Sequence, residues 1–161
     1  MLNRTFLAAI VMRNKDEIRA VLEAGADVNA SDAEHDETAI ILAAKFGDAE
    51  IIRMLIDAGA EVDARDDKGR TALFFAQVGS DSFARLRAAG ADIQAKDREG
   101  NTILIRKVSE SASLPEVDEL LRLGIDPEVR NEAGESALDV AVSLGLVRII
   151  EQLTSTRPSR K

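Results

Sequence analysis

The chain contains no cysteine, no tryptophan and no tyrosine. Without a thiol there is no disulfide framework, no thiolate zinc site and no cysteine nucleophile. Histidine occurs once, as His35 in a stretch of charged residues. That starves Ser/His/Asp catalysis and imidazole-bound metal chemistry, each of which needs at least one imidazole placed by a partner. Aromatic residues make up only 3% of the sequence, so a core has to be built from small aliphatics. Long apolar runs are missing too. Thr5 to Met12 is too short to span a bilayer, and no small-x-small cleavage pattern follows it, so it reads as structure and a cytoplasmic location is expected.

Charge and alanine are what is present. The 21 basic and 29 acidic residues give a net charge of −8, which repels a polyanion unless basic groups cluster, so nucleic acid is not an expected partner. At 161 residues the chain suits one domain with one continuous core.

Compared with itself, the sequence repeats. Gly25-Ala-Asp-Val-Asn-Ala30 returns as Gly59-Ala-Glu-Val-Asp-Ala64, Gly90-Ala-Asp-Ile-Gln-Ala95 and, degenerately, Gly124-Ile-Asp-Pro-Glu128. A second series keeps step with it: Thr38-Ala-Ile-Ile, Thr71-Ala-Leu-Phe, Thr102-Ile-Leu-Ile and Ser136-Ala-Leu-Asp. Each of these hydroxyl residues stands where a short apolar helix starts and can satisfy unpaired backbone N–H groups there. Ile51, Ile52, Leu55 and Ile56 then mark one face of a following helix. The glycines after the second helices suit left-handed C-terminal residues. Asp66-Asp67-Lys68-Gly69 and Asp97-Arg98-Glu99-Gly100 suit projecting turns. A unit of two helices and a turn, with small alanines facing its neighbours, is the pattern of a stacked array.

In these motifs the chain resembles the ankyrin repeat family. The resemblance covers residues 4 to 153 as about five repeats including caps, although the Pro and His of the family's Thr-Pro-Leu-His are missing every time. It implies an all-α solenoid of helix-turn-helix units with projecting β-turn fingers over 1–153, followed by a mobile basic tail at 154–161.

Three departures break the rhythm. The first finger has one extra residue and concentrates Asp32, Glu34, Asp36 and Glu37. It imitates the opening of a calcium loop without the required Gly and closing Glu, so a solvated loop or a contact for a basic partner is expected in place of a metal site. The third unit is short by two residues around Val78-Gly79-Ser80, and the fourth is longer by one around Ser111-Ala-Ser-Leu-Pro115. The fourth places Lys107 where its neighbours have Ala43, Ala76 and Ala141, and a local register slip is expected there in preference to a snorkelling lysine.

Catalytic patterns are weak. Gly134-Glu-Ser136-Ala-Leu138 begins like a nucleophile elbow, but Leu138 replaces the closing Gly and Ser136 already has a capping position. Asp66 and Asp67 are expected in exposed turns and read as surface rather than as an acid–base pair. No cofactor is expected, and a hydrolase working with carboxylates alone is a distant alternative.

The family resemblance implies recognition of another protein through finger tips and the exposed concave face of the first helices. Carried onto this sequence, the first-helix positions are Val11 and Met12, Lys45 and Phe46, Ser109 and Glu110, and Ser143 and Leu144. The finger positions are Asp36 and Glu37; Arg65, Asp67, Lys68 and Arg70; Lys96, Arg98, Glu99 and Asn101; and Arg130, Glu132 and Glu135. Val78 stands for the shortened third unit. The expected role is a non-catalytic, monomeric interaction module, either an adaptor or a small inhibitor or immunity protein covering an enzyme's functional surface. Phe46 admits two readings, a ring folded back over Ala49 or, with Met12 and Lys45, an anchor for the partner.

Overall fold

The computed structural model describes residues 1–110 and 112–155. Among them are ten α-helices and no strand beyond the isolated bridges Ser31–Thr38 and Lys96–Thr102. The chain divides into two compact units, Met1–Asp92 and Ile93 onward.

The first unit holds α1 (Leu2–Val11), α2 (Lys15–Glu23), α3 (Ala39–Phe46), α4 (Ala49–Asp57), α5 (Ala72–Phe75) and α6 (Asp81–Ala88). These form three hairpins. The inner helices pack in series, α1 on α3 and α3 on α5, while α4 packs on α6. The alanine pattern explains why the inner helices can approach: Ala9, Ala39, Ala43, Ala44, Ala72 and Ala76 are all buried. Larger aliphatics fill the space behind them, with Ile51, Ile52 and Leu55 of α4 fully enclosed, each stabilising the stack by about 1.5–3 kcal/mol.

The second unit holds α7 (Ile103–Ser109), α8 (Leu114–Arg122), α9 (Ala137–Ser143) and α10 (Val147–Ser155). Here α7 packs on α8 and α9, and α10 on α8 and α9. Helix α10 continues through Thr154 and Ser155, past the expected limit at Leu153, because neither residue breaks a helix. The rest of the expected tail, 156–161, lies outside the described residues.

Each expected helix starter occupies an N-cap position, but only some use their hydroxyl. Thr102 Oγ1 accepts from Ile105 N at 3.3 Å, and Ser136 forms a capping box with Asp139. The Thr38 and Thr71 hydroxyls are buried and make no hydrogen bond. The register of α7 runs unbroken from its Thr102 cap, so the expected slip at Lys107 does not occur. Its ammonium instead reaches outward, 4.0 Å from Glu110, while the aliphatic stem stays largely covered. In the third hairpin the missing residues shorten α5 to four, and they turn Val78 inward. It is buried and not at the surface position that the register of the repeats predicts.

Successive turns are tied side chain to backbone. Asn29 Oδ1 accepts from Glu61 N at 2.8 Å and Asp63 Oδ1 from Asp92 N at 3.1 Å in the first unit, and Gln94 Oε1 from Asp126 N at 3.3 Å in the second. These acceptors are the fifth residues of the Gly-Ala-Asp-Val-Asn motifs, so the repeat in sequence is also a repeat of this contact.

Candidate functional site

In the first finger, Asp32 Oδ1 accepts from Glu34 N at 2.9 Å and His35 N at 2.7 Å, and Asp32 N donates to Glu37 O at 3.0 Å. Closing this turn needs a left-handed residue, supplied by Asp36 at φ 54°. Asp36 takes the place that glycine fills in the other fingers, and aspartate tolerates it better than most residues. The tip is exposed at Glu34 and Asp36, whereas Glu37 turns inward beneath α3 and is only 4% exposed. Both its oxygens accept from Lys45 Nζ at 2.8 Å. Glu37 is therefore not the solvent-facing finger contact that sequence register predicts; a carboxylate beside a buried helix start is covered when a lysine on that helix can pair with it.

Asp66 of the second finger is corrected in the same way. It is buried, with Oδ1 accepting from Lys68 N at 2.9 Å and Arg70 N at 2.8 Å. Its Oδ2 lies 2.6 Å from Arg70 Nη2. Arg70 also stands over Phe75, its Cζ 4.5 Å from the ring centroid, and Lys45 Nζ is 5.5 Å from the same centroid. Glu37, Lys45, Phe75, Arg70 and Asp66 thus form one connected group on the inner helices and finger bases. Phe75 is half-buried. Sequence reasoning missed it, although it stands four residues after Thr71, as Leu42 does after Thr38, and that register could have found it.

At the C-terminal ends of the inner helices Phe46 is 36% exposed and Met12 78%. Arg13, in the left-handed region at φ 54°, lays its guanidinium 5.8 Å from the Phe46 centroid and donates to the Phe46 carbonyl at 2.7 Å. The register of the repeats puts Arg13 in a solvated N-terminal cap, where the middle units have their interhelix glycine, and does not place it over Phe46. The two fingers meet where Asp67 N donates to His35 O at 2.9 Å and His35 Nδ1 faces Asp67 Oδ2 at 3.6 Å. Lys68 and Arg65 are exposed, Arg65 donating to Gly69 O at 2.7 Å, while Asp67 is half-buried.

In the second unit Lys96, Arg98, Glu99, Glu110, Arg130 and Leu144 are exposed, and Arg130 pairs with Asp139 at 2.7 Å. Asn101 is not at the surface. It is buried against Asp97, and its Oδ1 accepts from Asn131 Nδ2 at 2.9 Å, so its amide serves to join two fingers. Asp97 is likewise buried and pairs with Arg106 at 2.9 Å.

Three carboxylates have displaced acidities, each with a local hydrogen-bonding cause. Glu50 is held below the ordinary carboxylate value by its hydrogen bond to Arg53 and that residue's charge. Glu116 is lowered by the backbone N–H and hydroxyl of Ser113, and Asp139 by the same groups of Ser136. Among the described residues no group of three or more His, Cys, Asp or Glu could hold a metal ion, and no helix is long and apolar enough to cross a membrane.

Within each unit, the packed helix hairpins and the fingers between them define a repeat-built fold. A family model for ankyrin repeats, in three copies, matches residues 5–97, more than half of the chain, and the chain belongs to the ankyrin repeat family. Repeats of this family generally mediate protein–protein interactions and are typically non-catalytic. No curated protein matches the sequence.

Proposed function

We propose that this chain is a non-catalytic, monomeric binding module that holds another protein against the inner-helix face and finger tips of its first unit. The supporting observation is the set of apolar side chains presented there: Met12, Phe46 and the half-exposed ring of Phe75. An aromatic side chain that becomes desolvated in an interface often carries about 2 kcal/mol or more of binding, while a partly exposed ring contributes less to folding. At the finger tip, Glu34 and Asp36 present carboxylates that suit basic groups on the rim of the same partner.

The test is capture of the partner from source lysate, followed by titration against the wild type and Phe46→Ala. Affinity is expected to fall at least about tenfold, or roughly 1.4 kcal/mol, with stability changed by less than about 1 kcal/mol. Unchanged affinity with a large loss of stability makes Phe46 a core residue and removes the face. If the captured protein loses its own activity on binding, the module is an inhibitor; retained activity makes it an adaptor.

A further inference from the structure

We infer that the partner segment lying on the inner-helix face of the first unit is acidic, with carboxylates interspersed among apolar side chains. This rests on the binding role proposed above and adds the chemistry of what is bound. The net charge of −8 suggests the opposite, but that charge is distributed unevenly. On this face the carboxylate of each ion pair is the buried member. The side chain of Glu37 is 6% exposed beneath Lys45 at 38%, and that of Asp66 is 0% exposed beneath Arg70 at 20%. A third cation, Arg13, lies over Phe46 and donates to a neutral carbonyl. Most exposed acids in this unit stand elsewhere, among them Asp16, Glu23, Glu50, Asp57, Glu61 and Asp81 on the outer helices and turns and Glu34 and Asp36 on the first finger tip; Asp67 of the second finger, its side chain 37% exposed, faces His35.

An approaching carboxylate therefore meets an ammonium or guanidinium first, with the compensating charge further off beneath it, and Coulomb interaction falls with that distance. Donors are left for it. A lysine ammonium has three and an arginine five, and Glu37 and Asp66 use only some of them. The cations are also held in place: Lys45 and Arg70 flank the Phe75 ring and Arg13 the Phe46 ring. Little side-chain order therefore has to be gained on binding. An incoming lysine or arginine would meet the same three cations as like charges. Met12, Phe46 and Phe75 supply the apolar contacts between them.

The experiment pans a random peptide library on the folded chain and measures recovered peptides by fluorescence anisotropy at low and high salt. Four proteins are compared: wild type, Phe46→Ala, Arg13→Gln, and the double variant Glu37→Gln/Lys45→Gln, which removes the cation together with its buried partner and leaves no unpaired charge. Peptides that depend on Phe46 are expected to be rich in Asp and Glu beside Leu and Phe. They should weaken about fivefold to tenfold on Arg13→Gln and on the double variant, and weaken with salt. Replacing their acids by Asn and Gln should have an effect of the same size. Phe46-dependent peptides that are basic or uncharged would overturn the acidic partner while leaving the face intact, as would acidic ones indifferent to both cation variants. Recovery only of peptides indifferent to Phe46→Ala, or of none, would overturn the face itself.

Discussion

Lys45 donates to both carboxylate oxygens of Glu37 at 2.8 Å and covers them from the solvent side. Lys45→Met would leave that carboxylate buried and unpaired. Breaking a fully buried pair costs about 3–5 kcal/mol, and because Lys45 keeps part of its hydration the expected loss is roughly 2 kcal/mol. The double variant Glu37→Gln/Lys45→Met should recover most of it. Urea denaturation of the three proteins checks this, and equal losses in single and double variants would show that the pair is uncoupled.

Two helix starters that look alike in sequence should respond differently to the same change. Thr102 Oγ1 accepts from Ile105 N, whereas the buried Thr71 Oγ1 has no hydrogen bond. Thr102→Val is expected to cost about 1 kcal/mol, and Thr71→Val to stay within about 0.5 kcal/mol of the wild type or to stabilise. Thermal melts decide it, with the reverse order counting against the assigned caps.

Gly100 and Gly134 hold equivalent finger positions at φ 76° and 78°. A Cβ on Gly134 meets nothing within 4 Å, but one on Gly100 would sit 3.0 Å from the backbone N of Glu132 and 3.2 Å from Asn131 Cα. Both alanine variants carry the left-handed penalty of roughly 1–2 kcal/mol. Gly100→Ala must also push the next finger away, so it should cost at least about 1 kcal/mol more. Indistinguishable denaturation midpoints would refute the close approach.

The capping boxes should be visible in the acid limb of stability. Glu116 and Asp139 have lowered carboxyl pKa values because Ser113 and Ser136 donate to their charged forms. A depressed folded value means that the stabilisation is complete above the unfolded-chain pKa of about 4 and is lost as pH falls through the lower folded value. Glu116→Gln and Asp139→Asn should therefore be less stable than the wild type near neutral pH and converge on it in acid. A gap that stays constant with pH would mean these carboxylates are not the titrating groups.

The hairpins were legible because their signals are local: a hydroxyl before an apolar run, a glycine after a second helix, alanines where neighbours touch. Burial of finger side chains was not, since it depends on long-range pairing. Nothing near Glu37 announces that Lys45 will reach back to it, and nothing around Asn101 announces Asn131. Phe75 was hidden by the two missing residues of the third hairpin, which drew attention to Val78 instead. Lys107 misled in the other direction: a lysine aligned with alanines suggested a slipped register, when a long stem emerging between helices satisfies the same alignment. Exposure at Met12 and Phe46 could be read from register, but the guanidinium over Phe46 could not, because Arg13 belongs to the preceding hairpin.

The turn-to-turn ties give the protein a built-in gauge of its own opening. The backbone N–H groups of Glu61, Asp92 and Asp126 lie in exposed turns, where amide protons ordinarily exchange quickly with solvent. Each is held by a side chain from the turn before it. Exchange at these three positions waits until the side chain of the preceding turn lets go, so its rate reports on the contact between neighbouring turns. Protection of Glu61 and Asp92 in the first unit, read beside that of Asp126 in the second, would show which part of the chain opens first as denaturant is raised.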